Sequence, residues 1–482
     1  MLTLLLACTA NNLNPKSTES DTALVEIHED IDQAALLAAI ESDVNRLQAT
    51  AFSMAIIREG EVVWQGGVGN ETPSGTPVTE NTRFRVASIT KPMTAVVTLQ
   101  QVEAGCLRLD SPVDAYLDNF GIVQQPQLSA TLTVADTLKQ TGGLLDNAEQ
   151  SGENGDGQID NYLPIINQNA YFLSPPGRMY NYSNTNIVIA GALIEDCTDT
   201  YFRPQMAESL WEPLEMSRTA MATDTVLADQ DYALGISTQI PNQVGQEVTM
   251  YADTYSASHL WPAMGAWSTA ADLAKFAQFL MHGDEDILAS ELLAEMTTMQ
   301  IDTEEGYPEK GYGYGIEVKK GIDIGGAHYP VTMLSHSGSL YGYSSHFLLI
   351  PELDVAVIAL INREEAVPTE SVSVALNLAA LVDPVPFTVA VPAEFSDYEG
   401  EYYNENNIGE FILTDTEEGL HVSVPAFDDA SMGYEPILQP VRPDNFRIIY
   451  DNGSTDDISF IRNEEGDVEY LRNRYYVGLK ME

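Results

Sequence analysis

The spacing of apolar residues along the first part of the chain predicts a mixture of helices and strands. Apolar residues three and four positions apart predict a helix that begins near Ile31 and includes Leu36, Ile40 and Val44 on one face. Helices are also predicted at 93–103, 187–197 and 271–282. Two runs around the turn Glu59-Gly60 predict a hairpin at 52–58 and 61–66, and two apolar runs around the turn 351–354 predict strands at 347–350 and 355–361. Strands mixed with long helices predict an α/β (α+β) domain over residues 31–383.

The pattern changes after residue 383. Pro384, Pro386 and Pro392 exclude a helix there, and helical spacing does not return. Short runs between turn residues predict seven strands, at 399–403, 410–414, 420–424, 436–441, 446–450, 458–462 and 468–472. Short strands at such regular spacing predict a small all-β barrel or sandwich, which we call the β module (residues 392–482).

The charge balance excludes one class of partner. The 482 residues include 72 acidic and 22 basic side chains, which gives a formal net charge of −50 at pH 7. Nucleic-acid binding needs Lys and Arg at the phosphates, so we expect no nucleic-acid partner. Apart from the N-terminal run, the chain has no long apolar stretch without charges, so we expect no transmembrane helix. Nothing in the sequence implies a protein partner.

The cysteines carry two further expectations. Three of them, Cys8, Cys106 and Cys197, are too few for a disulfide framework, and we expect Cys106 and Cys197 to be buried free thiols. The apolar run 2–8 ends in Leu-Leu-Ala-Cys, which resembles a bacterial lipoprotein signal-peptide junction, and a polar tether follows. Residues 1–30 are therefore predicted to be a signal and tether, on an exported protein that is periplasmic or anchored through a lipid on Cys8. The run is short and no Lys or Arg precedes it, so an ordinary frayed terminus remains the alternative.

One motif predicts an activated hydroxyl. Only Lys91, among the lysines, has a serine three residues before it, and that serine is Ser88. If a helix begins there, the two side chains share a face and the amine reaches the hydroxyl. Pro92 is consistent with this placement, because proline is tolerated in the first turn of a helix. Taken alone, the motif favours a helix cap at Ser88 and a surface charge at Lys91 over a catalytic pair.

Two more motifs follow in order, Tyr182-Ser183-Asn184 and His336-Ser337-Gly338. With Ser88-Ile89-Thr90-Lys91 they resemble the serine β-lactamase and penicillin-binding-protein-like superfamily, in its class C-related serine-hydrolase branch. Further phrases that resemble this family lie at 84–87, 211–216, 265–273 and 312–315. The resemblance covers about residues 31–365 and implies an antiparallel sheet flanked by helices. The β module is similar to a C-terminal lipocalin-like domain that some members carry.

The resemblance implies a role for each motif. Ser88 attacks an acyl carbonyl and forms an acyl-enzyme, and Lys91 and Tyr182 are the candidates for the base that takes its proton. Which of the two acts is left open, because their titrations are coupled. Asn184 is expected to hydrogen-bond Lys91 and a substrate amide.

The third motif and its surroundings are expected to bind substrate. The resemblance places the oxyanion between the backbone N–H groups of Ser88 and Ser339, and Gly338 is expected to let the edge strand approach the substrate closely. His336 is a departure, since β-lactamases and transpeptidases usually have a Lys there to hold a substrate carboxylate. A His is a less dependable cation at neutral pH, which favours esterase or D-amino-acid peptidase activity over antibiotic hydrolysis. The segment 139–144 departs from the related H-T-S-G-L pattern, which leaves its role open.

The sequence therefore predicts a serine hydrolase that acts on esters, amides or D-amino-acid-containing peptides, with a small molecule or short peptide as its acyl substrate. The alternative is a slow or non-catalytic binder of cell-wall peptides or β-lactams. We expect no cofactor and no metal. The acidic stretch 153–160 is similar to a calcium loop, but Gly152 and Leu163 occupy its first and last ligand positions, so we interpret it as a solvated loop.

Overall fold

The computed structural model describes residues 31–148, 159–240, 245–253, 258–306, 309–392, 394–404, 409–474 and 476–481. The predicted signal and tether, with Cys8, lies outside the described residues, and so does most of the acidic stretch around 153–160. No helix in the described part of the chain is long and apolar enough to cross a membrane.

The helices and strands of the described residues alternate through the first domain, and strands dominate after residue 399. The helices are α1 (Gln33–Leu47), α2 (Thr90–Glu103), α3 (Pro126–Ser129), α4 (Val134–Leu138), α5 (Leu163–Asn169), α6 (Asn184–Thr198), α7 (Phe202–Met206), α8 (Thr223–Asp229), α9 (Trp261–Met264), α10 (Ala270–His282), α11 (Ser290–Thr297), α12 (Thr369–Leu376), α13 (Leu378–Leu381) and α14 (Pro425–Asp429). The strands are β1 (Ala51–Arg58), β2 (Glu61–Gly69), β3 (Phe84–Arg85), β4 (Gly235–Ser237), β5 (Val248–Met250), β6 (Trp267–Ser268), β7 (Ile301–Asp302), β8 (Glu309–Tyr312), β9 (Glu317–Ile324), β10 (Ala327–Leu340), β11 (Tyr343–Ile350), β12 (Val355–Ile361), β13 (Gly400–Asn404), β14 (Gly409–Thr416), β15 (Gly419–Ser423), β16 (Gln439–Arg442), β17 (Asn445–Ile449), β18 (Thr455–Arg462), β19 (Val468–Arg472) and β20 (Val477–Lys480).

An antiparallel sheet in the order β2-β1-β12-β11-β10-β9-β8-β7 forms the centre of the first domain. Its strand β12 is buried along its whole length, which explains why its sequence is apolar at every position. Successive side chains of a strand point to opposite faces, so Val355, Val357 and Ile361 enter one core while Ala356 and Ile358 enter the other.

Helices cover both faces of this sheet. One face packs against α1 and α12, and Leu36 and Ile40 of α1 are fully buried there. The opposite face packs against α10, and α2, α6 and α9 pack together beyond it. Burial on both faces makes central strands such as β12 apolar throughout. The predicted helices and strands of this region are confirmed, with ends shifted by a few residues.

The β module is a second antiparallel sheet, in the order β15-β14-β13-β20-β19-β18-β17-β16. Backbone bonds from Leu438 N to Leu420 O and from Val422 N to Pro436 O connect its two edges, at 2.9 and 2.7 Å. The predicted α/β fold followed by an all-β unit is confirmed. The sequence missed one strand, β20, because it is short and includes a glycine.

The β module packs against the first domain through polar and apolar contacts. Arg178 forms an ion pair with Glu469, and Arg442 binds Asp302 at 3.0 Å. A small apolar cluster, which contains Leu173, Met179, Ile461 and Val477, lies in the same interface. The interface therefore joins the module to the segment just before Tyr182.

The expectation of two free thiols is wrong, because Cys106 and Cys197 form a disulfide with an S–S distance of 2.06 Å and a Cα–Cα distance of 6.0 Å. Cys106 is exposed and Cys197 is half-buried, so neither is the buried thiol that their apolar surroundings in the sequence suggested. The pairing depends on the contact between α2 and α6, which no local pattern indicates.

Candidate active site

The chain turns sharply at Ser88. Strand β3 ends at Arg85, and Ala87 adopts a left-handed conformation with φ +44° before a single 3₁₀ turn leads into α2. A non-glycine residue at positive φ is strained, and such strain is found where the surrounding structure fixes the backbone. Here Thr90 fixes it, because its hydroxyl donates to Ala87 O at 2.7 Å and accepts from Ala266 N at 3.1 Å. The result is a half-buried Ser88 at the head of α2.

Lys91 lies directly beside this serine. Its side chain is completely buried, and its Nζ donates to Ser88 Oγ at 2.9 Å and to Ala263 O at 3.0 Å. The helical spacing predicted this contact, and the alternative of a surface charge does not fit a buried amine.

Tyr182, two residues before α6, reaches the same hydroxyl. Its side chain is hydrogen-bonded to Ser88, and the Lys91 Nζ lies 4.9 Å from the centre of its ring. Burial raises the pKa of the Tyr182 phenol well above its usual value, while the nearby Arg474 guanidinium and the bond to Ser88 act in the opposite direction. The phenol therefore carries its proton at neutral pH.

Asn184, the first residue of α6, differs in part from expectation. Its backbone N–H donates to Asp146 Oδ1 at 2.7 Å, and its Nδ2 donates to Asn147 Oδ1 at 2.9 Å. Its own Oδ1 is buried and has no hydrogen-bond partner among the described residues, so the predicted bond to Lys91 is not formed. The Lys91 amine points instead to Ser88 and Ala263.

His336 lies on β10, and only 3% of it is exposed. Its Nδ1 lies 2.7 Å from Ser337 O and its Nε2 lies 3.0 Å from the Tyr312 hydroxyl. Burial and the neighbouring Lys91 lower the pKa of His336 to about 4. The imidazole is thus neutral at pH 7 and uses both ring nitrogens inside the protein, and a direct contact between His336 and substrate stays a prediction.

The next residues of β10 approach the strained turn. A Cβ at Gly338 would collide with the carbonyl oxygen of Val86 and would press on Ala87, so the missing side chain lets β10 pack against the turn. At Gly338 the strand β10 thus lies close to the protein's own backbone, whereas the sequence predicted a close approach of this strand to the substrate. Ser339 is exposed, and its Oγ accepts from Glu365 N at 3.2 Å. Its predicted place in an oxyanion site stays a prediction.

Sequence reasoning missed several residues that shape the site. Gln140, in the segment whose role was left open, is fully buried, and its Oε1 accepts from Ser183 N and from Asn186 Nδ2, both at 2.9 Å. Gln140 thereby fixes the position of the second motif. Its one indication in the sequence was that the segment 139–144 differs from the family pattern. Asp146 and Arg474 also reach the site, and no sequence pattern marked them. No group of three or more His, Cys, Asp or Glu is placed for a metal ion within the described ranges.

The chain resembles known proteins of one kind. The unguisins hydrolase of Aspergillus campestris is 24% identical over 337 residues, which are 67% of this chain and 60% of that protein. The match thus spans less than two thirds of that relative. Among solved structures, the penicillin-binding protein homologue from Pyrococcus abyssi superposes with a TM-score of 0.63 at 22% identity, over 93% of this chain and 100% of the homologue. The D-amino acid amidase from Ochrobactrum anthropi gives a TM-score of 0.59 at 21% identity, over 72% of this chain and 98% of the amidase.

These structural similarities show the fold. The family model described as Beta-lactamase matches residues 37–381, which include Ser88, Lys91, Tyr182 and His336. The matched region is well over half of the chain, and all three motifs lie within it. The chain belongs to the beta-lactamase family.

Proposed function

We propose that this protein is a serine hydrolase that forms an acyl-enzyme at Ser88 and acts on esters, amides or D-amino-acid-containing peptides. The observation that carries the proposal is the 2.9 Å bond between the buried Lys91 amine and the Ser88 hydroxyl. Burying an amine costs free energy unless hydrogen bonds within the protein replace those to water. The Lys91 amine makes such a bond to Ser88 Oγ, the atom that would attack the substrate.

The arrangement supports a complete proton path. In the first step, Ser88 Oγ bonds to the acyl carbon while its proton passes to the base, which is Lys91 as a free amine or Tyr182 as a phenolate. As the bond between the acyl carbon and the leaving atom breaks, the leaving atom takes a proton either from that base directly or from the Tyr182 phenol, which then takes the proton held by Lys91. In the second step water attacks the ester and gives a proton to the base, and Ser88 Oγ takes that proton back as the acid product leaves. Because the Tyr182 phenol carries a proton at neutral pH, it fits the second of these two roles, the relay to the leaving atom.

The preference for esters, amides or D-amino-acid peptides rests on the third motif. A neutral His336 with both ring nitrogens engaged supplies no cation for a substrate carboxylate, which weakens the argument for antibiotic hydrolysis. The name of the D-amino acid amidase, which shares the fold, is consistent with this preference. The unguisins hydrolase is likewise named for a hydrolytic activity.

A fluorophosphonate probe followed by a substrate panel tests the proposal. We expect the probe to label Ser88, as located by peptide mass spectrometry, and the panel of p-nitrophenyl esters, D-amino-acid amides and a chromogenic cephalosporin to show turnover of an ester or amide. Labelling without release of any product would support the non-catalytic binder instead. Absence of labelling would contradict an acyl-enzyme at Ser88.

We also propose that the protein is exported. The Cys106–Cys197 disulfide supports this, because structural disulfides persist mainly in oxidising compartments. Intact-mass measurement of protein from membrane and periplasmic fractions tests it, since a lipid at Cys8 adds the mass of its acyl chains. A full-length chain with both thiols reduced in the cytoplasm would contradict the proposal.

A further inference from the structure

The β module places a cation in the active site. Arg474 follows β19, and its guanidinium carbon lies 4.5 Å from the centre of the Tyr182 ring. Its Nη2 donates to Asp146 Oδ2 at 3.1 Å, and the other oxygen of that carboxylate accepts from the first backbone N–H of α6, that of Asn184. Asp146 thus fixes Arg474 to the helix that positions the second motif.

Arg474 is accessible, whereas a neighbouring arginine is not. The side chain of Arg474 is 41% exposed, and that of Arg472 is 1% exposed. Arg472 donates to Thr303 O and to Glu305, so its charge is compensated by groups of the first domain. Of these two arginines, Arg474 is the one whose guanidinium contacts the Tyr182 ring and is also accessible to solvent.

Arg474 is itself paired with Asp146, but among the described residues around the site it is more exposed than the two lysines: Lys91 is fully buried, and the Lys310 side chain is 24% exposed against 41% for Arg474. The Lys91 amine binds Ser88, and Lys310 forms ion pairs with Glu305 and Glu317 at 3.2 and 3.5 Å. His336 is 3% exposed and has both ring nitrogens close to polar groups of the protein. An anionic substrate must also overcome the net charge of −50, which requires a local cation where it binds.

The position of Arg474 also indicates which part of the substrate it would contact. The group that gives a proton to the leaving atom must lie within hydrogen-bond reach of it, so the leaving group lies beside Tyr182 or Lys91. If Tyr182 is that group, the cation over its ring lies next to the leaving group. A guanidinium has a planar fork of donors that matches a carboxylate in two-point contact.

We propose that Arg474 binds a carboxylate on the leaving group of the substrate, so that the β module supplies the anion recognition that His336 does not. The proposal rests on acyl-enzyme formation at Ser88. The carboxylate itself is unchanged in the reaction: the acyl carbon exchanges its bond to the leaving atom for a bond to Ser88 Oγ, and the leaving atom takes the serine proton.

Two matched esters test this, the 3-carboxyphenyl and 3-carbamoylphenyl esters of N-acetyl-D-alanine, which differ only in the charge of the leaving group. We expect Arg474→Gln to raise KM for the carboxyphenyl ester about tenfold or more, as for loss of a charged hydrogen bond, and to leave KM for the carbamoylphenyl ester within about twofold. Arg474→Lys should restore part of the difference. A change in kcat common to both esters would report only the effect of Arg474 on Tyr182.

The matched control is Glu469→Gln, which removes the Arg178 ion pair from the same interface and should leave the ratio of the two KM values unchanged. Equal KM changes for both esters in Arg474→Gln, or none, would overturn the proposal while leaving the serine hydrolase intact. Absence of turnover of both esters by the unmodified protein, together with no labelling of Ser88, would instead contradict the proposed function.

Discussion

Cys106 and Cys197 connect the far ends of two helices whose near ends hold the site. Cys106 lies three residues after α2, and Cys197 lies in the last turn of α6. At their opposite ends, α2 begins beside Ser88 and α6 begins two residues after Tyr182. The two helices also pack against each other. The disulfide thus covalently joins the two elements on which the geometry of the site depends.

The first prediction is that removing this disulfide lowers the stability of the protein. We expect the double variant Cys106→Ser/Cys197→Ser to lose about 2–5 kcal/mol of unfolding free energy, because a long loop of the unfolded chain is no longer closed. Urea unfolding with and without a reductant measures this. An unchanged unfolding midpoint in the double variant, or no effect of the reductant on the unmodified protein, would contradict it.

The second prediction concerns the two candidate bases. Lys91→Ala and Tyr182→Phe should each lower kcat about 10²–10⁴-fold, the range expected for loss of a proton-transfer group. Steady-state kinetics on the best ester of the panel gives the values. Lys320→Ala is the control, since that amine is exposed at the surface, where it forms an ion pair with Glu309 at 2.7 Å. Full activity in both base variants would remove these residues from the mechanism.

The third prediction follows from His336. Its pKa of about 4 in the folded protein lies below its usual 6.5, so between these values the unfolded chain binds a proton that the folded protein does not. The contribution of His336 to stability is therefore lost progressively as pH falls from about 6.5 to about 4. Urea unfolding at pH 7 and pH 5 should show a smaller loss of stability for His336→Gln than for the unmodified protein. An equal loss in both proteins would contradict the buried neutral imidazole.

The fourth prediction concerns the close approach of β10 to the strained turn. Gly338→Ala should cost about 1–3 kcal/mol and lower kcat, because the added methyl group collides with Val86 O and displaces the turn before Ser88. Gly121→Ala is the matched control, since a Cβ at Gly121 meets no atom within 4 Å. Thermal unfolding and ester kinetics compare the two variants. Equal behaviour of both would show that the turn tolerates the methyl group.

Local patterns predicted much of this structure, and long-range contacts account for what they missed. The Ser88–Lys91 contact follows from the spacing of a single helix, and β12 follows from one apolar run. The disulfide depends on the contact between two helices. The neutral state of His336 depends on burial, which its neighbours in sequence do not indicate.

Arg474 was the least predictable residue of the site. Its position depends on how the β module packs against the first domain, through contacts such as that between Arg178 and Glu469. A lone arginine after a short strand has no signature of its own in the sequence. The site thus includes a residue of the β module, where no sequence motif predicted a functional residue.

The mass of the intact protein during reaction with an ester tests the role of Ser88 most directly. On mixing with excess ester and quenching in acid, the unmodified protein should gain the mass of one acyl group, located at Ser88 by peptide mapping, and should lose it as the substrate is consumed. Ser88→Ala should stay folded by circular dichroism and gain no such mass. Ester turnover by folded Ser88→Ala, or an acyl group located on any other residue, would contradict the mechanism.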